Sequence, residues 1–122
     1  MHFQTPPYAH KKIVTIVSGK AFDVILDLRK GSKTFGMHET FLLDAAEGTS
    51  LFLPEGIAHG FQALTDGTIL HYQVSTAWSK EHDVGIRWDS FGVQWPLANP
   101  IISEKDKAHV EYKSFSNPFV YV

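Results

Sequence analysis

The chain has 122 residues, of which 43% are hydrophobic, 13% aromatic and 20% charged, and its net charge is -2. This is the make-up of one globular domain able to bury a core, with no room for a second, and without the broad positive field that holds nucleic acid nonspecifically. It contains no cysteine, so a disulfide frame, a thiolate metal site and a cysteine nucleophile are all excluded. No apolar run is long enough for a spanning helix and no signal peptide is indicated, so the expectation is a cytoplasmic protein with no membrane partner.

In chain order, Met1 to Gln4 already reads as strand material, and Thr5-Pro6-Pro7 ends it. Residues 12–17, 21–28, 34–43, 50–53, 59–64 and 68–74 are rich in β-branched and aromatic side chains, and each is predicted as a strand. Ser18-Gly19, Lys30-Gly31-Ser32, Glu47-Gly48, Pro54-Glu55-Gly56 and Asp66-Gly67 fall between them as turns. No window keeps a helical period, which predicts an all-β sandwich or barrel. In residues 21–28, Phe22, Val24, Leu26 and Leu28 alternate with Asp23, Ile25 and Asp27, predicting a core face and a polar face carrying two carboxylates. From Ser79 onward the pattern is irregular, and Trp88, Trp95, Pro96 and Pro100 predict an ordered segment packed over the barrel. Residues 1–122 therefore form a single domain in this reading.

Taken singly, His2, Tyr72 and Asp106 are ordinary solvated or core polar residues. Their setting is more specific. The blocks Met1-His2-Phe3-Gln4, Lys12-Ile13-Val14, GKAFDVILDLR from Gly19, SKTFG from Ser32, PEGIAHGF from Pro54, GIRWD from Gly85, Trp95-Pro96-Leu97 and SEKD from Ser103 run in order from Met1 to about His109. This ordered set resembles the dTDP-4-dehydrorhamnose 3,5-epimerase family. The resemblance implies a cupin-like jelly-roll barrel that works as a homodimer on a nucleotide-sugar substrate. Its activity would be that of an isomerase inverting carbons 3 and/or 5 of a nucleotide-linked 4-keto-6-deoxysugar, in deoxysugar and cell-surface polysaccharide biosynthesis. No cofactor and no metal are expected.

The resemblance also implies the site. His2 matches the family's base and Asp106 the carboxylate that orients it; Tyr72 matches the catalytic tyrosine. Lys12 matches the lysine beside the substrate ketone, Asp23 a barrel aspartate and His59 the histidine of the Pro-x-Gly-x-Ala-His-Gly-Phe turn; Gln4 and Trp78 complete the substrate-binding set. The chemistry requires such a group, because hydrogens beside a ketone are weakly acidic and inversion means removing one and returning a proton to the opposite face. A neutral imidazole with an ordinary pKa of roughly 6.5 suits abstraction, and a carboxylate on its second nitrogen fixes the tautomer. A phenol on the far side can return the proton, and cations at the ketone oxygen stabilise the enolate. Asp23 is the expected counter-charge for Lys12.

Two departures stand out. Trp78 occupies a place where the family usually has tyrosine, which bears on whether one or two centres are inverted. Roughly 50–60 residues precede the base histidine in the family, a length within the single-domain range, whereas here it is the second residue; a terminal base is expected to be poorly held. Rival readings are a noncatalytic sugar-nucleotide-binding barrel, a monoepimerase or ketoisomerase of a related keto sugar, and a metal-dependent cupin. The last lacks a His-x-His pair and would need His38, Glu39, His59 and His71 to converge.

Overall fold

A computed structural model describes every residue from Met1 to Val122. Eight strands, β1 (His2–Gln4), β2 (Lys12–Ser18), β3 (Lys20–Asp27), β4 (His38–Asp44), β5 (Ser50–Leu53), β6 (Ile57–Ala63), β7 (Ile69–Val74) and β8 (Asp83–Gly85), precede the short helix α1 (Glu104–Lys107). They form antiparallel sheets in the orders β4-β3-β6-β1-β8 and β5-β2-β7. The expected all-β, cupin-like jelly-roll architecture is what the chain adopts. No helix is long and apolar enough to cross a membrane.

Strand boundaries differ from expectation where turn chemistry prevails. The strand expected from residue 34 begins at His38, because Ser32 to Met37 fold into consecutive turns in which Phe35 N–H donates to Ser32 O and Met37 N–H to Thr34 O. Gly36 sits there at φ 76°, a left-handed conformation that glycine adopts without strain. The strand expected from residue 59 starts two residues earlier, so His59 lies inside β6 rather than in a turn. β8 has only three residues, too few for a periodic signal.

The polar face assigned to β3 needs correction. Val24 and Leu26 are fully buried, but beneath the C-terminal segment, in a cluster with Met1, Phe3, Ile86 and Phe119. The opposite face, with Asp23 and Ile25, looks across the barrel interior, where Ile25 packs against Val14, Leu53 and Ile57. Both faces of the strand are therefore covered, and its carboxylates are interior groups: Asp23 and Asp27 are 0% and 5% exposed. The tail is ordered as expected. Trp95 stacks edge-on against Phe22 and donates its indole N–H to Trp88 O, while Asn117 Nδ2–H donates to Leu28 O.

Asp27 shows how such a carboxylate is tolerated. It accepts from Arg29 Nε and Nη2 at 2.9 and 2.8 Å, and from the hydroxyls of Ser32 and Thr34 at 2.7 and 2.6 Å. Burial opposes its charge, yet the bonds from Arg29, Thr34 and Ser32 outweigh burial and hold the carboxyl well below the usual carboxylate range. Asp27→Ala should cost about 3 kcal/mol, the scale for breaking a buried pair, read as a lower urea midpoint at unchanged slope. With the folded pKa depressed, this contribution is complete above the unfolded carboxyl's pKa of about 4 and is lost as pH falls below it. Urea midpoints of the parent and Asp27→Ala should therefore converge at low pH.

Candidate active site

Strand β1 is the first element of the site. Its alternation sends Phe3 outward into the tail's core and His2 and Gln4 inward. In the sheet, His2 stands opposite His59 on β6 and Gly85 on β8, and Gln4 opposite Asp83. Facing residues on neighbouring strands have Cβ atoms about 5 Å apart, so register alone sets two imidazoles side by side. On β3, Asp23 pairs with Phe61 and Ile25 with His59, which brings the Asp23 carboxylate to the same interior. The second sheet supplies the opposite wall, with Lys12 facing Val74 and Val14 facing Tyr72. Between them lies an open cavity of about 870 Å³, lined by His2, Lys12, His59, Tyr72, Trp78 and Asp106 among others. That volume is in the range of small-molecule sites.

Two imidazole–carboxylate pairs occupy this cavity. His2 Nε2 lies 2.5 Å from Asp106 Oδ1, and His59 Nε2 bonds Asp23 Oδ2 at 2.7 Å. Asp106 arrives on α1, where Ser103 caps the helix by accepting the Asp106 N–H at 3.1 Å. Burial, with the N-terminal ammonium second, lowers the His2 pKa to about 4, so the imidazole is neutral at neutral pH and can accept a proton. Burial works against ionisation of Asp106, but His2, the N-terminal ammonium and His109 together outweigh it and move this carboxyl down. The expectation of a poorly held base is overturned. Met1 and Phe3 are each 3% exposed, β1 is hydrogen-bonded on both edges, and Met1 O accepts from Ile86 N–H at 3.0 Å.

Lys12 is buried at 8% exposure, which rules out a surface lysine. Its expected partner does not serve. Asp23 is committed to His59, and Lys12 Nζ instead donates to the His2 carbonyl at 3.4 Å and lies 5.9 Å from the centre of the Tyr72 ring. Burial brings the Lys12 pKa down to about 8, opposed more by Asp83 than by Asp23. Tyr72 is 54% exposed, an accessible wall residue rather than a core tyrosine. Gln4 borders the cavity, but its amide is committed to backbone: it donates to Tyr8 O and Ala77 O and accepts from Ser79 N–H at 2.7 Å. It anchors the segment bearing Trp78, whose indole N–H donates to Asp83 Oδ2 at 3.0 Å.

Two cavity residues were not expected. Asp83 accepts from Trp78 and from Lys105 Nζ at 2.6 Å; the only signal was its place across from Gln4, which exists once β8 pairs with β1. His10 lines the cavity with both ring nitrogens buried and unpartnered, and burial, then Lys12, lowers its pKa to about 4. Its position two residues before Lys12 was the only hint.

The family model described as dTDP-4-dehydrorhamnose 3,5-epimerase matches residues 1–114. The chain belongs to this family. A dTDP-4-dehydrorhamnose 3,5-epimerase of Sinorhizobium fredii is 38% identical across the whole chain, which spans 64% of that relative's length. The crystal structure of the Bacillus anthracis dTDP-4-dehydrorhamnose 3,5-epimerase, with TDP and pyrophosphate bound, superposes with a TM-score of 0.88 at 38% identity, covering 90% of this chain and 64% of that one. A 3'-monoepimerase of Streptomyces bikiniensis in complex with dTDP-quinovose superposes with a TM-score of 0.84 at 29% identity, covering 90% and 57%. The chain thus spans less than two thirds of the length of each of these proteins.

The electrostatics of Lys12 can be tested directly. Side-chain nitrogen NMR should give Lys12 a midpoint near pH 8, and Asp83→Asn should move it lower, because Asp83 is the larger influence holding the proton on. A midpoint in the free-lysine range would contradict the buried placement.

Proposed function

We propose that residues 1–122 form the catalytic barrel of an epimerase that inverts carbons 3 and/or 5 of a dTDP-linked 4-keto-6-deoxysugar, of the type that converts dTDP-4-dehydro-6-deoxyglucose to dTDP-4-dehydrorhamnose. The carrying observation is the opposition of His2 on one sheet to Tyr72 on the other across a single cavity that Lys12 also enters. His2, neutral and backed by Asp106, takes the hydrogen from the carbon beside the ketone, and the electron pair moves onto the ketone oxygen. The Lys12 ammonium and the His59 imidazole, steadied by Asp23, face that oxygen and stabilise the enolate. Tyr72 then returns a proton from the opposite side, and the phenolate and the imidazolium exchange protons with solvent through the open cavity. Trp78 at the rim offers a flat face to a base or sugar.

A nucleotide-linked substrate is consistent with work in the cytoplasm. Homodimer formation is part of the same proposal. Ile13, Val17 and Phe52, at 42%, 55% and 63% exposure, form an apolar row on the outer face of β5-β2-β7 that a second copy would cover. Trp78 favours a second reading, inversion at one carbon only, because an indole donates one hydrogen bond and accepts none.

The proposal is tested with dTDP-4-keto-6-deoxyglucose in heavy water, following deuterium entry at the carbons flanking the ketone by NMR. Entry at both carbons supports the double epimerase and entry at one the monoepimerase; binding without entry would identify a noncatalytic barrel. His2→Ala should slow entry by about 10²–10⁴-fold, the usual worth of a positioned base. Tyr72→Phe should spare entry more than inversion. Across pH, kcat/KM should fall below about 4, where His2 becomes protonated, and above about 8, where Lys12 loses its charge; a single limb would show that one of these groups plays no part.

A further inference from the structure

The His2–Asp106 pair has a third neighbour. His109 Nδ1 lies 3.7 Å from the same Asp106 Oδ1 that His2 touches, and the His2 and His109 rings meet edge-on with centroids 5.0 Å apart. One ligand atom from each of the three residues lies within 4.8 Å of the others. The His109 ring is seated against Gly85, where a Cβ would run into it, and its side chain is 10% exposed. Both of its nitrogens are buried without a hydrogen-bond partner. Buried polar atoms of native proteins are nearly always satisfied, and an imidazole with neither nitrogen bonded calls for an explanation such as an ion. The four residues that a metal-dependent cupin would need do not supply one. His38, Glu39 and His71 are exposed while His59 is buried, and no group of three ligands other than His2, Asp106 and His109 converges.

We propose that His2, Asp106 and His109 form a binding site for a divalent transition-metal ion of the zinc class. Two imidazoles and one carboxylate suit the borderline ions Zn²⁺, Cu²⁺ and Co²⁺ rather than Mg²⁺ or Ca²⁺. Tetrahedral bonds of about 2.0–2.2 Å set ligand atoms about 3.3 Å apart. The observed 2.5 and 3.7 Å separations bracket that value, and the third lies within 4.8 Å, so modest side-chain movements close the site. His2 and Asp106 both line the cavity, which provides a route in and a fourth position for water. Binding itself does not depend on the epimerase reading. Its consequence does: an ion on His2 Nε2 takes the place of the proton shared with Asp106, that proton moves to Nδ1, and with no basic nitrogen left the epimerase is silenced.

The test titrates the whole chain with Co²⁺ by visible absorption and with Zn²⁺ by calorimetry. One ion per chain with the absorption bands of four-coordinate Co²⁺ is expected, and His109→Gln and His109→Leu should weaken binding on the order of 10–100-fold. Should either variant fail to fold, substoichiometric Cu²⁺ on the unaltered chain replaces it, broadening the ring protons of His2 and His109 before those of His10, His38, His59, His71 and His82. In active enzyme, Zn²⁺ should suppress deuterium entry, a chelator should restore it, and folded His109→Gln should stay active at Zn²⁺ levels that silence the parent. No binding by the unaltered chain, unchanged affinity in folded His109→Gln, or first broadening at other histidines would overturn the site. Metal binding with the expected signature in a chain that never takes up deuterium would refute the epimerase and leave the metal site standing.

Discussion

The pairing of β1 between β6 and β8 is the constraint on which the site depends. A strand of three residues has little stability of its own, but here both edges are hydrogen-bonded and the outward side chains are buried. Phe3 meets Phe115 and Phe119 edge-on, and Gly60 leaves the space that Met1 Sδ fills. Because side chains alternate, burying Met1 and Phe3 under the tail obliges His2 and Gln4 to face the cavity. A slip of one residue would exchange the two sets, placing an imidazole in an apolar layer and withdrawing His2 from Asp106. The C-terminal segment therefore does two jobs: its aromatics fix the register of β1, and its helix delivers the carboxylate that His2 meets.

The charges inside the barrel follow a consistent division. Asp27 is surrounded by donors and serves the fold, whereas Asp23 engages one imidazole and Asp106 lies against two, those of His2 and His109. Lys12 has no carboxylate within ion-pair distance, and desolvation outweighs the more distant attraction of Asp83 and Asp23. A cation left in that condition is costly to the free protein but available to an incoming anion, which is the character expected of groups that stabilise developing charge. The unpartnered Asp23 Oδ1 and His10 nitrogens belong to the same pattern: unmet polar groups gather at the cavity, while the remote carboxylate at Asp27 is fully satisfied.

Much of this was legible in the sequence, for identifiable reasons. Strand positions follow local composition and turn residues, so β2, β3, β5 and β7 lie close to where they were expected. His2, Lys12, Tyr72 and Asp106 were recognisable through ordered blocks, and the cavity gathers all four. What could not be read was which face of β3 looks at what. Alternation distinguishes two faces, but only the tail, folded back from some 70 residues further on, decides that the apolar one lies outside the barrel. Contacts across such distances leave no periodic trace. The same holds for Asp83 beside Gln4, for the Gln4 amide tied to Ala77 and Ser79, and for Lys12 losing Asp23 to His59.

His109 shows how a site can acquire a second property from one neighbour. An imidazole paired with a carboxylate can shift its proton from the nitrogen facing that carboxylate to the other, and the freed nitrogen is then a metal ligand. Pairing it with a carboxylate adds an anionic oxygen within reach, so every imidazole–carboxylate base is two thirds of a zinc site. What usually prevents capture is the lack of a third ligand at the right distance. Here α1 ends two residues before His109 and the glycine of β8 leaves room for its ring, so the third ligand is brought to the pair by the same helix that positions Asp106. The geometry that orders the His2 imidazole also offers it to an ion, and the two cannot be separated by changing Asp106.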